Sequence, residues 1–197
     1  MLKIKVILGS TREQRFGEQP AKWITEKAKT KGLDVELLDL RDYPLPFFNE
    51  PMSPTAAMAK EGAYPYPVSA KWTGKIAEAD GFIFVTPEYN HGYPAVMKNA
   101  FDYVAREWNK KPVAFVGYGT VGGARAVEQW RPVTTEQQMV PIRTAVSIIA
   151  PWMLPKNADG MTDLSSSDAT ADQMLDQLIW WADALKAARD KDSASSK

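Results

Sequence analysis

Short apolar runs alternate along the chain with stretches whose apolar residues recur every three or four positions. Five runs predict strands: Leu2 to Leu8, Asp34 to Leu40, Gly81 to Val85, Val113 to Gly117 and Ile142 to Ile149. The second alternates Val35 and Leu37 with polar neighbours. The third is almost continuously apolar, which suits a strand buried on both faces. Helical spacing is found over Glu18 to Thr30, where Lys31-Gly32 supplies a stop signal. It returns from Ala95 to Glu107, just after Pro94, a residue favoured in a first helical turn. There the apolar stripe is Met97, Ala100, Phe101, Val104 and Trp108. Further helices are predicted over about Gly123 to Gln138 and Ser167 to Arg189, the last with Leu175, Leu178, Ala182 and Leu185 on one face.

Strands alternating with helices imply an α/β domain, a parallel sheet covered on both sides. Residues 1–190 are expected to form that single domain, and the Ser- and charge-rich 191–197 a disordered tail. Two segments fit neither period. Arg41 to Val68 carries Pro44, Pro46, Pro51, Pro54, Pro65 and Pro67. Its aromatic residues Tyr43, Phe47, Phe48, Tyr64 and Tyr66 argue against disorder and for a loop that walls a ligand pocket or meets a partner subunit. Ala150 to Ser166, with Pro151, Trp152 and Pro155, suits a surface or interface role.

Composition narrows the chemistry. A chain of 197 residues, 45% hydrophobic and 24% charged, is long enough for a substantial core. Its 24 basic and 24 acidic side chains cancel, which argues against broad binding to nucleic acid or to an anionic membrane. There is no cysteine, so disulfides, thiolate catalysis and Cys-ligated metal sites are excluded, and any redox chemistry must come from a bound cofactor. No apolar run approaches the ~20 residues of a membrane span. Met1-Leu2-Lys3 leads into a strand pattern and not a signal peptide, so a cytoplasmic protein is expected.

Three strand-to-helix turns carry the candidate chemistry. They read Gly9-Ser10-Thr11-Arg12-Glu13-Gln14-Arg15-Phe16-Gly17, Pro87-Glu88-Tyr89-Asn90-His91-Gly92-Tyr93-Pro94, and Gly117-Tyr118-Gly119-Thr120-Val121-Gly122-Gly123. Turns at the carboxyl ends of strands are where open α/β sheets bind ligands. The first is neither a Walker A loop nor Gly-x-Gly-x-x-Gly, yet backbone donors at a helix start, with Ser10 and Arg12, suit a phosphate. The alternative is that Arg12 and Arg15 are solvated loop charges. In the second, backbone amides from Glu88 to Gly92 suit the polar edge of a flat ring. Against this, Tyr89 or Tyr93 could be core aromatics and Glu88 a support for the turn. In the third, Gly119, Gly122 and Gly123 allow close backbone approach, though an ordinary flexible loop would look the same.

His91, the only histidine, sits where a substrate contact or proton donation is allowed, but it reads first as a solvent-facing side chain. Nothing spells a metal cluster or a Ser/His/Asp triad. Lys98 reads as a helix-surface residue. Trp130, Trp152, Trp180 and Trp181 read as core or subunit contacts.

The order and spacing of these motifs over about residues 1 to 150 resemble the NADPH-dependent FMN reductase family. The matching residues are Gly9-Ser10-Thr11-Arg12, then Pro87-Glu88-Tyr89-Asn90 with Pro94 and Lys98-Asn99, and finally Gly119-Thr120-Val121-Gly122-Gly123. The resemblance implies a flavodoxin-like three-layer sandwich whose five parallel strands run in the order 2-1-3-4-5. It implies FMN held by Ser10, Arg12, Arg15, Phe16 and Gly17 at the phosphate, with Pro87, Glu88, Tyr89 and Asn90 at the ring and Gly119, Gly122 and Gly123 beside it. Arg15 and Gly17 stand where many members carry Ser and Asn. The activity implied is hydride transfer from NADPH, or NADH, to FMN. The electrons then go to a small acceptor such as a quinone, a flavin, an azo compound or a metal oxyanion. The resemblance also implies a homodimer or homotetramer. No catalytic side chain and no metal is expected, because the flavin itself carries the reaction. A flavodoxin-type electron carrier and a flavin-free scaffold on the same fold are the rival readings.

Overall fold

The strands are β1 (Lys3–Leu8), β2 (Asp34–Asp39), β3 (Gly81–Pro87), β4 (Pro112–Gly119), β5 (Val140–Pro141) and β6 (Val146–Ile149). In the computed structural model, which describes residues 1–61 and 67–195, they form one parallel sheet in the order β2-β1-β3-β4, with β5 and β6 both paired to β4. Expectations for Tyr64, Pro65, Tyr66 and residues 196–197 lie outside the described residues. The flavodoxin-like order is thus present, its fifth strand made of two pieces. All of β3 is buried, as its apolar run requires.

Helices α1 (Glu18–Thr30) and α6 (Asp168–Ser195) cover one face. Ala21, Ile24 and Ala28 of the first, and Met174, Leu175 and Leu178 of the second, meet Ile4, Val6, Ile83 and Val116. On the other face lie α3 (Pro67–Ala77), α4 (Ala95–Asp102) and α5 (Ala124–Glu136). Trp72, Phe101 and Trp130 from these helices pack with Phe82, Phe84 and Phe115. Each layer follows from period: sheet residues alternate between the faces, and helices turn a stripe inward.

The Pro-rich segment is more regular than its composition predicts. It holds a helical turn at Leu40–Asp42 and a helix α2 (Pro54–Glu61), and α3 begins within it at Pro67. Both helices start on proline, whose missing N–H costs nothing in a first turn. The long helix expected after Pro94 stops at Asp102, and a separate turn forms at Arg106–Trp108. That break swings Trp108 into the core, stacked on Phe101 at 4.9 Å with Nε1 donating to the Phe101 carbonyl at 3.2 Å.

The fifth strand divides because residues 143–145 leave the ladder. Arg131 donates to the carbonyls of Ile142 and Arg143 at 2.7 and 2.9 Å, and Gln177 accepts from the Thr144 N–H at 2.9 Å. Side chains thus satisfy backbone groups that a neighbouring strand would otherwise take. Helix α6 continues to Ser195, past the end expected at about Arg189 and into the stretch expected to be a disordered tail. No described helix is long and apolar enough to cross a membrane.

Candidate active site

The strand order reverses between β1 and β3, and there the turns after β1, β3 and β4 converge on one cleft of about 250 Å³. Of the residues proposed from sequence, Ser10, Arg12, Arg15, Phe16, Pro87, Glu88, Tyr89 and Gly119 line it. Gly17, Asn90, Gly122 and Gly123 do not.

In the first turn, Gly9 N–H donates to the Val85 carbonyl at 2.9 Å and ties the loop to β3. Ser10 Oγ and Tyr89 Oη share a hydrogen bond of 2.7 Å, which joins the first turn to the second. The Arg12 guanidinium lies 5.9 Å from the centre of the Tyr89 ring and makes no ion pair among the described residues. Arg15 behaves differently. Its guanidinium is buried, donates to Asp39 through both Nη atoms, and meets Glu18 at 3.1 Å and the Ser10 carbonyl. Its positive charge is therefore already neutralised inside the protein.

Burial works to raise the Asp39 pKa, but hydrogen bonds from Arg15 and the Arg41 N–H outweigh it and hold the carboxyl below its ordinary value. Gly17 sits behind the wall: a Cβ there would come within 2.4 Å of Tyr118 Oη and 2.9 Å of Leu8 Cδ1.

The second turn is a tight reversal. Tyr89 and Gly92 exchange two backbone hydrogen bonds of 2.9 and 3.0 Å, with Asn90 and His91 both at positive φ (48° and 67°). This is the pattern of a type I′ turn. It changes the expected ring contacts, since the N–H groups of Glu88, Tyr89 and Gly92 are spent on Tyr118, Gly92 and Tyr89 carbonyls. Asn90 and His91 keep theirs among the described residues. Both side chains are exposed at the tip, and Gln129 holds the His91 carbonyl at 2.8 Å.

The Glu88 carboxylate, 5% exposed, is held by the Arg125 side chain and accepts the Arg125 N–H at 3.1 Å. An acid at the start of α5 also complements the helix dipole, so Glu88 anchors the turn. Tyr93 is the core aromatic, 4.5 Å from Trp130, and Tyr89 faces the cleft. Lys98 pairs with Asp102 one helical turn on. Asn99 clamps the Pro-rich loop, accepting from Phe48 N–H and donating to the Pro46 carbonyl, each at 2.8 Å.

In the third turn Gly119 reaches the cleft, and its carbonyl accepts from Ala150 N–H at 2.8 Å. Gly122 and Gly123 serve close packing instead: side chains there would strike Ser147 and the backbone of Gly117 and Tyr118 at 2.7–2.8 Å.

Sequence reasoning missed Tyr118, Thr120, Pro151 and Trp152, which complete the lining. Tyr118 carried a signal, a polar-tipped aromatic at the carboxyl end of an apolar strand. Trp152 carried none beyond its irregular surroundings, because β6 had to be followed into its loop to bring it back. The Tyr118 hydroxyl is buried and has no partner in hydrogen-bond geometry among the described residues. Burial pushes its pKa above the ordinary phenol value, Tyr89 adds to this, and Ser10, Arg15 and Arg12 oppose it. The cleft thus offers one unneutralised cation, several hydroxyls and aromatic surface, and suits an anionic group attached to a flat ring. Among the described residues no group of three or more His, Asp or Glu could hold a metal ion.

A family model described as NADPH-dependent FMN reductase matches residues 2–152. The chain is 40% identical over 149 residues to the NAD(P)H-dependent FMN reductase C4B3.06c of Schizosaccharomyces pombe, covering 74% of this chain and 73% of that one. It is 32% identical over 139 residues to an NADPH:quinone oxidoreductase of Arabidopsis thaliana, covering 68% and 66%. In fold it is similar to FerB, a flavoenzyme NAD(P)H:(acceptor) oxidoreductase of Paracoccus denitrificans, with a TM-score of 0.73 at 22% identity over 93% of this chain and 98% of the other.

Proposed function

The chain belongs to the NADPH-dependent FMN reductase family, and from that premise we propose that the cleft between its three turns holds FMN in a cytoplasmic, homo-oligomeric enzyme reducing small acceptors of the quinone class. When bound, FMN supplies hydride chemistry, taking two electrons and a proton from NAD(P)H and returning them to the acceptor. The observation that carries the reading is the convergence of unneutralised Arg12, the Ser10–Tyr89 pair and the buried Tyr118 hydroxyl in one cleft at the switch point. Hydrogen bonds from a guanidinium to a phosphate are among the strong ones, and neutral hydroxyls beside it add further donors.

The protein's part is placement. Arg12 and Ser10 hold the anionic end. Pro87 and Tyr89, which line the cleft, meet the ring. Asp39 and Glu88 act from behind, fixing the first turn through Arg15 and the second through Arg125. Trp152 and Met153, 64% and 78% exposed beside the cleft, support contact with a second copy of the chain, since large exposed apolar side chains in a group mark interaction sites.

Anaerobic absorbance of the protein with FMN, before and after NADPH and separately NADH, tests the reading. Protein-dependent bleaching of the flavin band is expected, with the faster donor giving the nicotinamide preference. Tight FMN binding without bleaching would replace the enzyme by an electron carrier. Failure to bind FMN would sink the reading altogether.

A further inference from the structure

Tyr118 is 7% exposed, and its hydroxyl oxygen is shut away from solvent with no partner in hydrogen-bond geometry among the described residues. Buried hydroxyls are almost always paired, so an unpaired one that borders a cleft asks for a ligand atom. Its surroundings hold it there. Phe16 meets the ring edge-on at 5.3 Å, and Gly17 lacks the Cβ that would come within 2.4 Å of Oη. Ser10 Oγ, which faces the same cleft and lies near enough to Tyr118 Oη to oppose the rise in its pKa, is committed to a 2.7 Å bond with Tyr89 Oη. The phenol is kept protonated by burial and so can donate but not repel an anion. Arg15 brings little net charge, being neutralised by Asp39, and among the described residues Arg12 is left as the full cation of the cleft.

We propose that Tyr118 donates from Oη to the phosphate of the bound flavin and so makes the cleft select FMN over unphosphorylated riboflavin. The assignment rests on the FMN reading above and gives it a specificity residue. Its geometric basis is the Gly17–Tyr118 contact: the hydroxyl fills the space that a side chain at position 17 would occupy, so the donor comes from β4 and not from the phosphate loop.

The test is titration of flavin-free protein with FMN and with riboflavin, read by quenching of flavin fluorescence, for the wild type and Tyr118→Phe. Inorganic phosphate is added as competitor, and Tm is recorded without ligand. The variant is expected to bind FMN about tenfold more weakly, from the loss of one hydrogen bond to a charged group. Riboflavin affinity should stay within about twofold, and phosphate should compete less well. Tm without ligand should be equal or higher, because the deleted oxygen was unpaired. Gly17→Ala, which crowds the hydroxyl without removing it, should shift affinity in the same selective way. Wild-type binding of FMN with no loss in Tyr118→Phe would overturn the proposal and leave the FMN reading intact. Equal losses for both flavins would also overturn it, placing the hydroxyl away from the phosphate. No binding of FMN by the wild type would sink the flavin reading and the selection with it.

Discussion

Arg15 and Asp39 hold each other at two points across the carboxyl ends of β1 and β2, with Nη1 donating to Oδ1 at 2.8 Å and Nη2 to Oδ2. The pair closes the back of the first turn, and Arg41 seals it further by donating to the Thr11 carbonyl at 3.2 Å. Asp39→Asn would leave the buried guanidinium with only the half-exposed Glu18 as a charged partner. The expected loss is about 1–3 kcal/mol of stability, less than for a fully buried pair because Asp39 is partly exposed. Since the folded-state pKa of Asp39 is lowered, its contribution is complete above the ordinary carboxylate pKa and vanishes as pH falls through the lowered value. Urea midpoints of wild type and variant should therefore differ at pH 7 and converge in acid. A constant difference would mean that the pair is not titrating as described.

Arg12→Ala should weaken FMN binding by about tenfold or more, or ~1.5–3 kcal/mol for a hydrogen bond to a charged group. Arg12 has no ion pair to lose among the described residues, so the unliganded protein should keep its Tm. Isothermal titration with FMN decides this. Unchanged affinity would take Arg12 out of the phosphate site.

Much of this was legible in the sequence because it depends on local period and turn chemistry. The apolar runs at Ile4, Ile83 and Val113 mark the central strands, and Pro87 to Asn90 marks the switch-point turn. What was not legible depends on long-range pairing. Nothing near Arg15 announces that Asp39, 24 positions on, neutralises it. Gly122 and Gly123 look like ligand glycines until Ser147 and Gly117 are found against them. The helix after Pro94 keeps its apolar stripe through Trp108, yet the Phe101–Trp108 stack is reached only by breaking it. Tertiary packing overrides period at such points.

His91 sits at the tip of the Tyr89–Gly92 turn with φ of 67°. A non-glycine residue there is strained, and glycine adopts the conformation freely. His91→Gly should keep stability or raise it by up to about 1 kcal/mol. Because the side chain is exposed at the tip and outside the cleft lining, FMN affinity should be unchanged. Parallel thermal melts and flavin titrations provide the check, and loss of bound FMN would give the imidazole a role in the site.

Lys111 lies at the opposite end of the sheet, 6% exposed, where Nζ donates to the carbonyls of Ile76 and Ala77 at 2.9 and 3.1 Å. These carbonyls end α3, so a cation there satisfies orphan acceptors and complements the helix dipole. Burial nevertheless lowers its pKa from 10.5 to about 8, helped by Arg189 and opposed by Asp80 and Glu107. The sign follows directly. Between about pH 8 and 10.5 the unfolded chain holds more protons than the folded one, so stability from this group rises with pH across that window. Below pH 8 both states are charged, and the cost of burying the ammonium is fully present, about 3 kcal/mol for a shift of this size. In Lys111→Met the two carbonyls lose their donor, but the charge cost disappears. The wild type should therefore gain on the variant as pH rises from 8 to 10, whatever their order at pH 7. Other lysines and tyrosines titrate in both proteins and cancel in the comparison. Guanidinium chloride midpoints measured at intervals across that range decide it: a flat difference would mean that Lys111 keeps an ordinary pKa, with the two α3 carbonyls stabilising its charge enough to offset its burial.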